Sequence, residues 1–384
     1  MGVNAVARAE TRDLRDAMVD QLSKRGLEFG PAIEEAFRTV PREVFLPGVA
    51  LERVYSGDNI ITKQDVEGRP ISSSSEVGIM MAMAQLLDVA PGHRVLEIGA
   101  GTGYNAAILS RLVGERGAIT TVDIDPEIAA QARQNLAAAG FHRVAVIAGD
   151  GWGAGSVNAT YDRIEITASV SDLSPSWVAQ LTEGGVIVFP FVLRAGMQTV
   201  IALRKQGAEL VSTGVTPGGF MRLRGQGEAQ RRTTSVDEFE VEMSDRLVED
   251  AGETLAALLR TPPRAAVAPP LGWESLTLLA LLHGNVSVSK RDGVGIRVGL
   301  FDPAGSLALA ELAHDSAAGP FSAVLAFGSE TARFELMRAI EELRTLRLRD
   351  LRVVATAAAS PGPKGDVVLH RGGFTFAFRI AGSA

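Results

Sequence analysis

The chain has 384 residues, long for one ordinary domain and a natural length for two. Hydrophobic residues make up 46% and charged residues 22%, the balance of a globular protein with a real core. There is no cysteine, which excludes a disulfide framework, a thiolate metal site and a cysteine nucleophile, and the net charge of −7 argues against a surface built for nucleic acid.

Residues 8–24 and 31–39 read as short amphipathic helices, with Leu14, Met18, Val19 and Leu22 at helical spacing. The opening stretch MGVNAVARAETRDLRD lacks the apolar core of a signal peptide, and no apolar run is long enough to span a membrane. A cytoplasmic location without a membrane partner is the expectation. Pro41 to Pro47 is turn-rich. The run ISSSSEVGIMMAMAQLL then predicts a helix over 76–88. Ser73 and Glu76 have the S-x-x-E spacing of a capping box before it.

A regular alternation follows. Strands are predicted at His93–Ile98, Ala118–Ile124, Val144–Ala148 and Tyr161–Thr167, with helices at Tyr104–Leu112, Pro126–Ala139 and Ser174–Leu181 between and after them. Val186–Phe191 and Thr199–Lys205 read as further strands. Strands and helices in alternation predict a mostly parallel sheet covered on both faces, with a ligand at the strands' C-terminal ends. The polar run QGEAQRRTTSVDEFE suggests a break near residue 226. Residues 226–272 are expected to be a linker with a helix, and 273–384 a smaller α/β or α+β unit.

The strand HRVLEI runs into Gly99-Ala-Gly-Thr-Gly103 and a helix. Glycines let the backbone turn and approach a ligand, and the helix presents free N–H groups. Gly101 to Ala106 also fits G-x-G-x-x-A, so a dinucleotide is one reading. The acids favour another. Glu97 ends strand one, where it would repel a pyrophosphate and suit the cationic S-adenosyl-L-methionine. Asp123 ends strand two, placed for a ribose diol. Gly149-Asp150-Gly151 ends strand three, where an acid could read an adenine amino group. The expected cofactor site is Glu97, Gly99, Ala100, Gly101, Thr102, Gly103, Asn105, Asp123, Ile124, Gly149, Asp150, Gly151 and Thr167. The fold implied is a Rossmann-like class I methyltransferase.

The runs VLEIGAGTGYNAAILSRLVG, TTVDIDPEIAAQARQNLAAAGFHRVAVIAGDGW and YDRIEITASVSDLSPSWVAQLTEGGVIVFP resemble the protein-L-isoaspartate O-methyltransferases, as do VPREVFLPG before them and GFMRLRG after. The resemblance covers about residues 10–225, which makes residues 1–225 the expected catalytic domain. It implies methyl transfer to an aspartyl or isoaspartyl carboxylate in a peptide, the ester then collapsing to a succinimide. Such a carboxylate is ionised at neutral pH and needs positioning more than a base. Counted back from Leu86-Leu87, the family's substrate serine falls on Ser75, with Ser74 and Ser73 beside it, so these three are the expected catalytic residues. Hydroxyls at a helix start suit an anionic group.

Glu76-Val77 and Asp58-Asn59 depart from the family's pattern, and about 160 residues follow the matched region. Such extended chains resemble methyltransferases found with ribosomally made, modified peptides of the lanthipeptide or graspetide kind. That predicts an Asp-containing peptide partner, with aspartimide or isoaspartate as the product and residues 273–384 as the recognition unit. Repair of damaged isoaspartyl sites and methylation of a small molecule are the alternatives. No [ND]-P-P-[YF] run follows strand four, where the chain has Thr167-Ala-Ser-Val, which disfavours nucleobase and glutamine amino groups. Arg344, Arg347, Arg349 and Arg352 form a candidate docking patch or a solvated helix end.

Overall fold

The computed structural model describes residues 2–153, 155, 159–228, 233–244, 251–290, 295–313 and 320–380, with side chains from residue 11 onward. Helices α1 (Gly2–Lys24) and α2 (Pro31–Thr39) come first, then a 3-10 turn at Arg42–Phe45 and the single turn α3 (Leu51–Val54). A hairpin of β1 (Ile60–Gln64) and β2 (Pro70–Ser74) follows, and then α4 (Val77–Leu87). The alternating region is β3 (Arg94–Ile98), α5 (Tyr104–Val113), β4 (Ala118–Asp123), α6 (Pro126–Ala138), β5 (Ala145–Ala148), β6 (Tyr161–Ile166), α7 (Pro175–Gln180) and β7 (Leu181–Val192). Two long strands, β8 (Gln198–Gln206) and β9 (Glu209–Pro217), complete it.

The serine run therefore ends a strand, with Ser72 to Ser74 in β2 and Ser75 directly before the cap of α4. Asp65 closes the hairpin turn, its carboxylate accepting the N–H groups of Glu67 and Arg69. The cap of α4 is Glu76 itself, whose carboxylate accepts from Gly78 N at 3.0 Å and Ile79 N at 2.9 Å. The expected Ser73 cap is not formed, because Ser73 is still paired across the hairpin with Ile61. At the start of α6, Asp125 is the cap and Pro126 takes the first turn.

The main sheet has ten strands in the order β18-β19-β17-β9-β8-β7-β6-β3-β4-β5. Strands β5, β4, β3, β6 and β7 run parallel, as the alternation demands. The other half is antiparallel, which corrects the expectation of a mostly parallel sheet. No crossover helix lies between β7, β8 and β9, so tight turns reverse the chain; at the β8–β9 turn, Gly207 has φ +60°.

Near residue 226 the chain leaves the main sheet for a second one. Residues 226–272, expected to be a linker with a helix, supply β10 (Thr233–Val236), β11 (Phe239–Met243) and β12 (Arg264–Ala268), with α8 (Ala251–Leu259) among them. Helix α9 (Trp273–Leu282) and strands β13 (Val286–Lys290), β14 (Arg297–Asp302), β15 (Ser306–Ala310) and β16 (Ser322–Gly328) follow, then α10 (Thr331–Leu343). These seven strands form an antiparallel sheet ordered β10-β11-β13-β14-β15-β16-β12. The last strands, β17 (Leu351–Ala357), β18 (Val367–His370) and β19 (Phe374–Ile380), return to the main sheet and cover the edge of β9. One core joins both parts: Phe189 and Phe191 of β7 share it with Leu276 and Leu279 of α9 and with Phe376 of β19. The Phe191 and Phe376 rings lie 4.5 Å apart.

Arg344 pairs with Glu341 at 2.8 Å, Arg347 donates to the carbonyls of Arg344 and Leu346, and Arg352 to that of Arg349. These bonds are local, within the end of α10 and the turn that leads into β17.

Candidate active site

The loop after β3 crosses over the sheet through Gly99, Gly101 and Gly103, with φ +103°, +51° and +86°. A side chain at Gly99 is excluded twice, by that φ and by Thr167 Oγ1, which a Cβ would approach to 2.3 Å. Thr167 Oγ1 in turn donates to the carbonyls of Ile98 and Gly99, at 3.0 and 2.8 Å. Asp123 ends β4 with Oδ2 accepting from Gly101 N and Oδ1 from Asp125 N, each at 3.1 Å. Burial pushes its pKa up, and these backbone N–H groups oppose the shift.

A cavity of about 510 Å³ opens over these strand ends. Its walls include Gly99 to Thr102, Asn105, Asp123, Ile124, Gly151, Glu165 and Thr167, the serine strand from Ser72 to Glu76, and the segment Gly219 to Arg224. Most expected cofactor residues are thus brought together. Gly103, Gly149 and Asp150 are not among its lining residues. The Asp150 carboxylate accepts from Trp152 N at 2.9 Å and from Gln226 N at 2.8 Å, which ties it to the chain that passes over the site.

Glu97 is also behind the wall. It is fully buried, its oxygens accepting from Asn105 Nδ2 at 2.8 Å and from Thr121 Oγ1. The carboxylate at the cavity wall is Glu165, which the motifs did not single out. Glu165 and Glu97 are directly paired across β6 and β3, so their side chains share one face of the sheet. Asn105 Nδ2 donates to Glu165 Oε2 as well, at 2.7 Å. Desolvation pushes Glu97 up to about 8, with Glu165 and Asp123 adding repulsion, and pushes Glu165 up to about 7. The sequence did hold a signal. A charge between Ile164 and Ile166, in a central strand buried on both faces, has no ordinary structural use.

The serines divide by strand period. Ser72 and Ser74 are buried, Ser72 Oγ accepting from Thr62 Oγ1 and Ser74 Oγ from Arg42 Nη2. All four border the cavity, and among the described residues the hydroxyls of Ser73 and Ser75 take no partner. Arg42 is the second residue missed. It is fully buried, and its guanidinium also donates to the carbonyls of Val54, Asp58 and Ser75 at 3.0 to 3.1 Å. It lies 5.8 Å from the centre of the Tyr104 ring and, among the described residues, forms no ion pair with a carboxylate. Burial lowers its pKa, yet a guanidinium stays charged. The serine wall is therefore backed by a positive charge. Glu76, the odd acid beside it, is turned into the helix cap. Asp58 pairs with Arg53 at 2.8 Å, and Asn59 lines the cavity.

A sequence model of the protein-L-isoaspartate (D-aspartate) O-methyltransferase family matches residues 13–226, more than half of the chain. The chain belongs to this family. A protein-L-isoaspartate O-methyltransferase of Methanopyrus kandleri is 39% identical over 180 residues, covering 47% of this chain and 77% of that protein. One from Methanococcus maripaludis strain C7 is 32% identical over 209 residues, 54% of this chain and 95% of that one. A solved structure titled protein-L-isoaspartate O-methyltransferase superposes with a TM-score of 0.54 at 23% identity, over 96% of this chain and 99% of that one. That likeness concerns the fold, and it extends through the second sheet. The core is the Rossmann-like fold of class I methyltransferases, and S-adenosylmethionine is the cofactor of this family member. The cavity fits it: a glycine loop closed to side chains, a carboxylate at the end of β4, and a buried acid with an unfilled oxygen.

Proposed function

We propose that this chain methylates the side-chain carboxylate of an isoaspartyl or aspartyl residue in a peptide. The observation that carries the reading is the serine wall, where Ser73 and Ser75 line the cavity with hydroxyls unpartnered among the described residues, beside the buried Arg42 cation. Such a wall attracts an anion and has two donors for it. The cofactor supplies an electrophilic methyl group on a cationic sulfur. Ser75 and Ser73 bind the substrate carboxylate and hold one oxygen forward. Arg42 fixes the strand end that carries them and supplies favourable charge through it. No general base is needed, because the nucleophile is already ionised. Asp123 holds the cofactor's ribose end, and Thr102 and Asn105 stand at the start of α5.

The family, and the likeness of the full fold to a structure bearing the isoaspartate methyltransferase title, support an isoaspartyl substrate and a repair role. One observation favours peptide tailoring as the second reading. Arg222 of the cavity wall pairs with Glu242 of β11 at 2.6 Å, so the second sheet reaches the rim of the site and could read a peptide there. Turnover on a generic isoaspartyl peptide and on a constrained Asp-containing precursor peptide separates the two. A higher kcat/KM on the isoaspartyl peptide supports repair, and turnover restricted to the precursor supports tailoring. Transfer to neither peptide sinks the proposal.

A further inference from the structure

Glu165 is a charged residue that the family motifs leave without a task. Its surroundings define one. The amide of Asn105 has two N–H groups, and one goes to Glu97 Oε1 and the other to Glu165 Oε2. Glu97 has both oxygens filled, the second by Thr121. Glu165 Oε1 takes no hydrogen bond among the described residues, and no Lys or Arg among them pairs with either acid. The side chain is nonetheless 1% exposed and borders the cavity. Two adjacent buried carboxylates sharing one amide are costly unless a proton or a cation joins them.

We propose that Glu165 Oε1 accepts the α-ammonium group of the cofactor's amino-acid end, with Glu97 as a positioning residue that orients Asn105. This rests on the cofactor reading above. The ammonium fits better than the sulfonium for a chemical reason. The sulfonium loses its charge as the methyl leaves, so a carboxylate against it would stabilise the starting state more than the transition state. The ammonium keeps its charge throughout and can be bound without that penalty. Without ligand, the acid pair holds a proton at neutral pH, with Asp123 of β4 as the further negative group acting on Glu97. The arriving ammonium takes the proton's place, and the proton passes to the buffer.

The test is calorimetric binding of S-adenosylhomocysteine, and of its analogue lacking the amino group, to the wild type and to Glu165→Gln. Both ligands have a neutral sulfur, so only the ammonium differs. Glu165→Gln is expected to weaken S-adenosylhomocysteine at least about tenfold and to leave the deaminated analogue nearly unchanged. The wild type alone, measured near pH 7 in buffers of different ionisation heat, is expected to release protons on binding S-adenosylhomocysteine and not on binding the analogue. Equal affinity of both proteins for S-adenosylhomocysteine overturns the assignment, as does equal loss for both ligands or binding without proton release. A wild type that binds neither ligand overturns the cofactor reading as well. Apo melting of Glu165→Gln checks its fold, and the wild-type proton count stands even if that variant is unstable.

Discussion

Arg42 carries more of this site than any loop residue, because the serine strand ends on its guanidinium. Arg42→Met would leave the carbonyls of Val54, Asp58 and Ser75 without their donor. We expect a loss of about 3 kcal/mol in stability, read by urea denaturation, and a large fall in turnover. Ser75→Ala should lower kcat/KM about tenfold, the scale of one hydrogen bond to a charged group, with cofactor affinity unchanged. Normal turnover would return that hydroxyl to mere surface. Asp123→Ala should weaken S-adenosylhomocysteine about tenfold or more in the same calorimeter. At this scale the glycine loop and Asp123 were legible, because strand, glycines and terminal acids follow each other in sequence. The bond from Gln226 N to Asp150 was not legible, because its two ends lie 76 residues apart. Arg42 was hidden, since its partners lie 12 to 33 residues away and most are carbonyls.

The β1–β2 hairpin and the β3–β6 pair are the elements that set the site's behaviour. Lys63 of β1 reaches Asp125 and Glu127 at the start of α6, both at 2.7 Å, and so ties the hairpin to the loop after Asp123. The acid pair makes the apo protein pH-sensitive. Glu97 and Glu165 have folded pKa values raised above those of the unfolded chain, so the native state binds more protons between about pH 4.5 and 8. Stability from these groups is greatest below that window and falls as pH rises through it. The apo melting temperature should therefore drop from pH 5 to pH 8, and Glu165→Gln should flatten the slope. A flat wild-type profile would mean that the pair is compensated. The hairpin was not legible because S-x-x-E mimics a helix cap, whereas ITKQ, the Asp65 turn and the serine run are decided by pairing across the turn.

Across the whole molecule, the C-terminal region is structural to the catalytic half rather than appended to it. Strand β17 pairs with β9, and the core runs without a break from Phe191 to Phe376 and α9. A chain ending after Gln226 should expose the β9 edge and that aromatic face, and should aggregate or bind hydrophobic dye. A soluble, active truncation would show that the second sheet serves recognition alone. The alternating half could be read from periodicity because its contacts are local. The return of 351–380 to the first sheet could not, since pairing at that separation leaves no local trace. Methyl transfer to a peptide carboxylate is read out by mass spectrometry of an isoaspartyl peptide incubated with the protein and methyl-labelled S-adenosylmethionine. One added labelled methyl group is expected, lost in mild base to leave a peptide lighter by one water than the starting one. A base-stable methyl group, or label that never reaches the peptide, would contradict it.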